Sequence, residues 1–325
     1  MQEDGFSGIF ACVVRCALYL WRMRIALTLL ALTFSSFADS AADFAVKKDI
    51  DYAGTANPRQ ALDLFVPKKA SEKPRPLVVY IHGGGWESGS KNDAGVLPAL
   101  VTDGNFVAAS VGYRLTNEAH WPAQIHDCKA AIRWLRAHAA EYGVDPERIA
   151  VFGISAGGHL VSLLGTTTGS GPKELEGDIG GNDSVSTKVS CVINFCGPAN
   201  FLTFADKGSI ISVESPGTAI TKLLGGPLSQ NKDAATACSP VTHITQNDPP
   251  FLHIHGTKDN LVPYVQALEF DAALEKAGVS STLLTGKDGA HVFFSKELVA
   301  HMRTFLARHL LGEKNDVPEG PVAIK

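Results

Sequence analysis

No block of basic residues stands out in this chain, where 29 lysines and arginines face 33 acidic residues for a net charge of −4. Nucleic acid is therefore a poor partner, because neutralising phosphates takes a clustered basic face. Cysteine is scarce, at six in 325 residues, and no C-x-x-C pair occurs. The histidines are scattered too, so a structural zinc site is not expected. Beyond the N-terminal stretch, no apolar run approaches the roughly 20 residues that cross a bilayer. No internal repeat is present.

What is present begins with a targeting pattern. Met23-Arg24 precedes IALTLLALTF and then SSFADSAADF. A short positive region, an apolar region of about ten residues and small residues near Ser40–Ala42 predict a cleaved secretory signal over residues 1–42. The expected location is secreted or periplasmic, with no stable membrane anchor after cleavage. Residues 1–22 hold a second apolar stretch broken by Arg15, and Met23 is an alternative start. An uncleaved anchor over 9–38 is the competing reading, made costly by Arg15, Arg22 and Arg24. Export permits disulfides. Of the cysteines beyond the signal, Cys128 lies on an apolar helical face. Cys196 and Cys238 are the pair that a bridge would join, with free buried thiols as the alternative.

Apolar residues make up 45% of the chain, enough for a sizeable core. FAVKKDIDYA and QALDLFVP flank a Gly/Asn/Pro turn and predict an opening hairpin. LVVYIHGGGW and residues 106–115 are continuous apolar runs, as strands buried on both faces should be. Residues 122–143 turn helical, with Ile125, Cys128, Ile132, Leu135 and Ala139 on one face. VDPER predicts a turn and IAVFG a strand, then AGGHLVSLLG a helix. Strands follow at 189–197, 250–256 and 281–286, and helices at 263–278 and 295–311. This alternation predicts an α/β domain over 43–312, a mostly parallel sheet with helices on both faces. Residues 198–249 break the alternation and suggest a small lid-like insertion with a short helix near 217–224. Residues 166–187 suggest a surface loop, and 313–325 a flexible tail.

The stretch VFGISAGGHL, residues 151–160, spells G-x-S-x-G after a strand and before a helix. In that context it predicts a strained turn that exposes the hydroxyl of Ser155. A serine needs a base to take its proton, and the base needs an orienting group. In doubly wound hydrolases these follow in the order Ser, acid, His. FLHIHG ends in TKDNLVP, which puts Asp259 in a loop at the sheet's C-terminal edge, where ligands gather. Asp233, Asp248, Asp271 and Asp288 are its rivals. Three histidines follow Asp259. His301 and His309 sit in the last amphipathic helix, so His291, in the loop GKDGAHVF, is the candidate base.

Acyl transfer also needs donors aimed at the developing oxyanion. HGGGW, residues 82–86, lies one strand upstream. The amides of Gly84, Gly85 and Ala156 would form that hole. His82 is expected to brace the loop. Trp86 is a candidate substrate-binding wall, with packing behind the loop as its alternative. His159, His253 and His255 read as structural.

With these pieces in order, the chain resembles α/β-hydrolase esterases of the HGGGW, hormone-sensitive-lipase-like type. The nearer likeness is to bacterial bifunctional acetylxylan/feruloyl esterases. VVYIHGGGWESGSK, VGYRL, residues 121–160, LLGG, DPPFLHIHGTKDNLVP and GAHVF carry the likeness over about residues 45–311. The resemblance implies an α/β-hydrolase fold with an eight-stranded sheet and a serine carboxylesterase without metal or cofactor. It carries the triad onto Ser155, Asp259 and His291. The expected partner is an ester substrate, with acetylated or feruloylated xylan the favoured target. An amidase, arylformamidase or peptidase using the same triad is the alternative, and a non-catalytic binding module a further one. Residues 198–249 match only loosely, so substrate identity is where the likeness says least.

Overall fold

The computed structural model describes residues 43–167, 171–205 and 208–324. The expected signal segment, 1–42, lies outside the described residues. Nine strands among these form one sheet in the order β1-β2-β4-β3-β5-β6-β7-β8-β9. They are β1 (Phe44–Asp51), β2 (Ala61–Pro67), β3 (Arg75–Ile81), β4 (Val107–Val111), β5 (Val144–Ile154), β6 (Cys191–Phe195), β7 (Phe251–Gly256), β8 (Ser281–Gly286) and β9 (Gly320–Val322). β1 and β2 form the expected antiparallel hairpin, β2 runs antiparallel to β4, and β3 to β9 are parallel.

The apolar strands are buried on both faces, and side-chain alternation divides them between two cores. Along β3, Leu77, Val79 and Ile81 enter one core, while Val78 and Tyr80 enter the other. Along β5, Ile149 and Val151 part from Ala150 and Phe152 in the same way. This is the period of two that a pleated strand imposes. Helices α1 (Leu97–Val101) and α7 (Lys296–Leu306) contribute to the second core, and α2 (Ala123–Ala137), α3 (Ala156–Thr166) and α6 (Val265–Lys276) to the first. In α7 the buried residues are Leu298, Met302, Phe305 and Leu306, one helical face, and Ser295 caps its start by accepting from Leu298 N–H. All eleven residues of α3 are buried, so this helix is enclosed rather than laid on the surface.

Three elements differ from expectation. The sheet has nine strands rather than eight, because the tail expected to be flexible pairs Gly320–Val322 with Leu284–Gly286 of β8. An edge strand offers unpaired amides and carbonyls, and Pro321 suits such an edge because it has no N–H to satisfy. VDPER is not a free turn but the extended start of β5, with a register shift against β3 between Arg75 and Leu77. Among its described residues the insertion holds two α-helices, the expected α4 (Ala219–Leu224) and the unforeseen α5 (Lys232–Cys238). α5 buries only Ala235 and Cys238, too few apolar positions to show a period in sequence.

β3 lies between β4 and β5, so the chain leaves β3 to one side and later crosses back to the other. The loops after β3 and β5 therefore diverge at the sheet's C-terminal edge. In open α/β sheets such a switch point is where ligands bind.

Candidate active site

Ser155 joins β5 to α3 at φ 56°, ψ −119°, outside the regions that L-residues favour. A side chain held there costs about 1–3 kcal/mol and needs support from its surroundings. The flanking glycines supply it. A Cβ on Gly153 would lie 2.2 Å from the carbonyl oxygen of Gly157, and one on Gly157 would lie 2.1 Å from that of Ile81. No other residue fits this turn without moving the backbone. Ser155 N–H donates to Phe195 O at 2.8 Å and ties the turn to β6.

Three loops bring the predicted residues together. His291, after β8, points Nε2 at Ser155 Oγ, 2.8 Å away, and Nδ1 at Asp259 Oδ2, 2.7 Å away. Asp259 follows β7, and its Oδ1 accepts from the amides of Leu261 at 2.9 Å and Val262 at 3.0 Å. Burial pushes the Asp259 carboxyl up, but hydrogen bonds from His255 and His291 outweigh it and bring it down to about 2. It is a carboxylate near neutral pH. Burial opposes protonation of His291, while the neighbouring Cys196 sulfur and Asp259 carboxylate favour it, and the net shift is upward from 6.5. Burial also raises Cys196 from 9.0, which keeps it a thiol near neutral pH, so Asp259 is the charged group that acts on His291 there.

The glycine loop lies directly against the serine. A Cβ on Gly83 would sit 3.4 Å from Ser155 Cβ. Gly84, Gly85 and Trp86 run consecutively at φ 107°, 59° and 58°. Among the described residues, no hydrogen bond occupies the amide N–H of Gly84, Gly85 or Ala156. Three unpaired donors beside a serine are what a developing oxyanion requires. His82 braces this loop, with Nδ1 donating to Gly83 O at 2.8 Å and its ring stacked on Tyr113. Burial brings His82 down to about 4, so it is neutral. From the insertion, α4 abuts the loop. Ala219 Cβ lies 3.2 Å from where a Gly85 Cβ would be, and Lys222 pairs with Glu87 at 2.6 Å.

Trp86 does not wall a pocket. It is buried, and its indole N–H donates to His159 Nδ1 at 3.2 Å, with its ring against His159 and Phe201. An indole turned inward finds the partner its N–H needs, and Trp86 becomes a strut behind the glycine loop. His159 completes that strut by donating from Nε2 to Cys238 O at 2.6 Å, and burial lowers it to about 4. No disulfide joins Cys196 to Cys238; Cys128, Cys191, Cys196 and Cys238 are all free and buried. Cys196 lies in the core on one face of the sheet and Cys238 in the core on the other. The sheet itself separates the two thiols.

The BD-FAE family profile matches residues 62–274. The chain belongs to the BD-FAE family. It is 32% identical to esterase LipC of Mycobacterium tuberculosis over 216 residues, 66% of this chain and 52% of LipC. It thus spans about half the length of the curated relatives it matches. Among solved structures, a truncated carbohydrate esterase from gut microbiota superposes with a TM-score of 0.76 at 27% identity, covering 83% of this chain and 98% of that one. An acetyl ester-xyloside bifunctional hydrolase from Caldicellulosiruptor lactoaceticus follows at 0.63 and 27%, covering 79% and 91%. The α/β-hydrolase fold of this BD-FAE chain is the one these esterases share.

Two groups at the BD-FAE site escaped the sequence reading. His255, expected to be structural, puts Nε2 3.1 Å from Asp259 Oδ2 and 2.8 Å from Val262 O. The spacing H-x-x-x-D at a strand's end was the available signal. Cys196, at φ 46°, puts Sγ 3.9 Å from His291 Nε2. Nothing local in the sequence reveals that approach.

Proposed function

We propose that the protein is a secreted serine carboxylesterase that removes short or aromatic acyl groups, acetyl or feruloyl, from plant cell-wall polysaccharide such as xylan. The observation that carries the reading is the relay Ser155 Oγ, His291 Nε2, His291 Nδ1, Asp259 Oδ2, with contacts of 2.8 and 2.7 Å. Ser155 attacks the ester carbonyl as His291 takes its proton. Asp259 holds the imidazole with Nδ1 protonated, so that Nε2 carries the accepting lone pair. The amides of Gly84, Gly85 and Ala156 receive the oxyanion. His291 then protonates the leaving alcohol, and water repeats the cycle to release the acid.

Three features support the substrate class. The motifs of this chain resemble those of acetylxylan and feruloyl esterases, and one structural neighbour is named for acetyl ester-xyloside hydrolysis. The two α-helices among the insertion's described residues have six and seven residues, too short for an interfacially activated lid. Export supports a polysaccharide outside the cell and rests on the pattern in residues 1–42.

The test measures kcat/KM across p-nitrophenyl esters of rising chain length, beside acetylated xylan, methyl ferulate and an anilide control. Acetyl and other short esters should be cleaved fastest, since kcat/KM reports differential transition-state binding. A peak at long chains would move the protein to the lipases. Faster cleavage of the anilide would make it an amidase.

A further inference from the structure

We propose that Cys196 and His291 form a binding site for one thiophilic divalent cation, Zn2+ or Co2+, whose occupancy silences the Ser155–His291 pair. Cys196 Sγ and His291 Nε2 face one another at 3.9 Å. A zinc ion bonded at about 2.3 Å to sulfur and about 2.0–2.1 Å to nitrogen holds them about 3.5 Å apart at a tetrahedral angle and about 4.4 Å apart when collinear. The observed gap falls between these limits, so neither group has to move far.

The far side of the imidazole is already arranged as in metal sites. A metal-binding histidine usually donates its other ring N–H to a carboxylate, which fixes its orientation. His291 Nδ1 faces Asp259 Oδ2 at 2.7 Å, and Asp259 is itself held by two backbone amides and His255. Donor atoms of Cys196, Asp259 and His291 lie within 4.8 Å of one another. Ser155 Oγ, 2.8 Å from Nε2, is placed as a third ligand, with solvent as the fourth. Charge balances as well, since one thiolate and one carboxylate offset a dication in a largely buried place.

The step involves no electron transfer. The Cys196 S–H bond breaks and its proton leaves to solvent, and S–metal and Nε2–metal bonds form. The lone pair of Nε2 that would accept the Ser155 proton is then in use. Entry runs past His291, whose side chain is 17% exposed. Cys238 also lies near a histidine, with Sγ 3.5 Å from His159 Nε2. His159 is sealed from solvent, whereas His291 is partly exposed, so a cation has a path to the one pair and not to the other. The silencing rests on the esterase reading, and the binding does not.

The experiment titrates Co2+ into metal-stripped wild type and Ser155→Ala, reading the thiolate-to-cobalt charge-transfer band. One equivalent should give the band in both proteins. Cys196→Ala and Cys196→Ser should both lack it, with far-UV spectra and Tm showing that each is folded. Wild-type hydrolysis should fall at least tenfold with saturating Zn2+ and return with chelator. Absence of a band, or a band that survives in both Cys196 variants, overturns the site. A band without loss of hydrolysis overturns the silencing. Full activity in Ser155→Ala would instead overturn the esterase reading and leave the binding result standing.

Discussion

His255 and His291 converge on one oxygen. Both approach Oδ2 of Asp259, His255 at 3.1 Å and His291 at 2.7 Å. Because His255 Nε2 also faces a carbonyl, it must carry the hydrogen and donate. The carboxylate accepts from the amides of Leu261 and Val262 and from His291, and the His255 N–H, shared with Val262 O, lies beside it as a fourth polar contact. A hydrogen bond to a charged group contributes about 1.5–3 kcal/mol, so His255→Ala should lower kcat by roughly 10–100-fold if that loss is felt in the transition state. KM should hold steady, and His255→Gln, which keeps a donor near the same point, should recover part of the rate. An unchanged kcat in His255→Ala would make His255 a packing residue only.

Ser155→Ala should abolish turnover and leave the fold and Tm close to wild type, because the hydroxyl is removed without opening a cavity. Residues that act as a unit are not additive, so His291→Ala on top should cost little more. Residual activity above about a hundredth of wild type, with contaminating esterase excluded, would put the nucleophile elsewhere.

The pH profile follows from His291. Its protonated form has no lone pair for the Ser155 proton, so kcat/KM must fall as pH drops through its pKa. Burial opposes the imidazolium, and the Cys196 sulfur and the Asp259 carboxylate together outweigh it, so that pKa lies above the ordinary 6.5. The acid limb should accordingly begin above pH 6.5 in the free enzyme. A profile flat down to pH 4 would be incompatible with a histidine base.

Glu176 anchors the 171–187 loop to α2 through Lys129, at 2.6 Å, and Arg133. The Lys129 side chain is fully buried, while that of Glu176 is 35% exposed. Removing one partner of a buried pair typically costs about 3–5 kcal/mol, and the exposure of Glu176 lowers that to about 2–3 kcal/mol. Glu176→Ala should therefore lower Tm by on the order of 5–10 °C while kcat stays within a factor of two or so, since the pair is remote from Ser155. Urea unfolding monitored by tryptophan fluorescence checks the stability, and an unshifted midpoint would show that the pair contributes nothing.

Much of this protein is legible in its sequence because the deciding features are local. Continuous apolar runs alternating with helical periods dictate a parallel sheet covered on both faces. G-x-S-x-G needs only the glycines beside Ser155 to define its turn, and HGGGW carries its own backbone freedom. The chain order Ser155, Asp259, His291, each in a loop after a strand, selected those three from their rivals. Other features exist only once distant segments meet. Ser155 and His291 are 136 positions apart, and Cys196 and His291 are 95 apart. The inward turn of Trp86 waits on His159, 73 positions on. The fate of the thiols depended on which face of the sheet each occupies, and the ninth strand on an edge that β8 leaves open. Periodicity assigns each segment its buried side but not the partner that covers it. Strand order and the crossovers at β3 decide that, and so only the tertiary structure could put a thiol against the imidazole and a second histidine on its carboxylate.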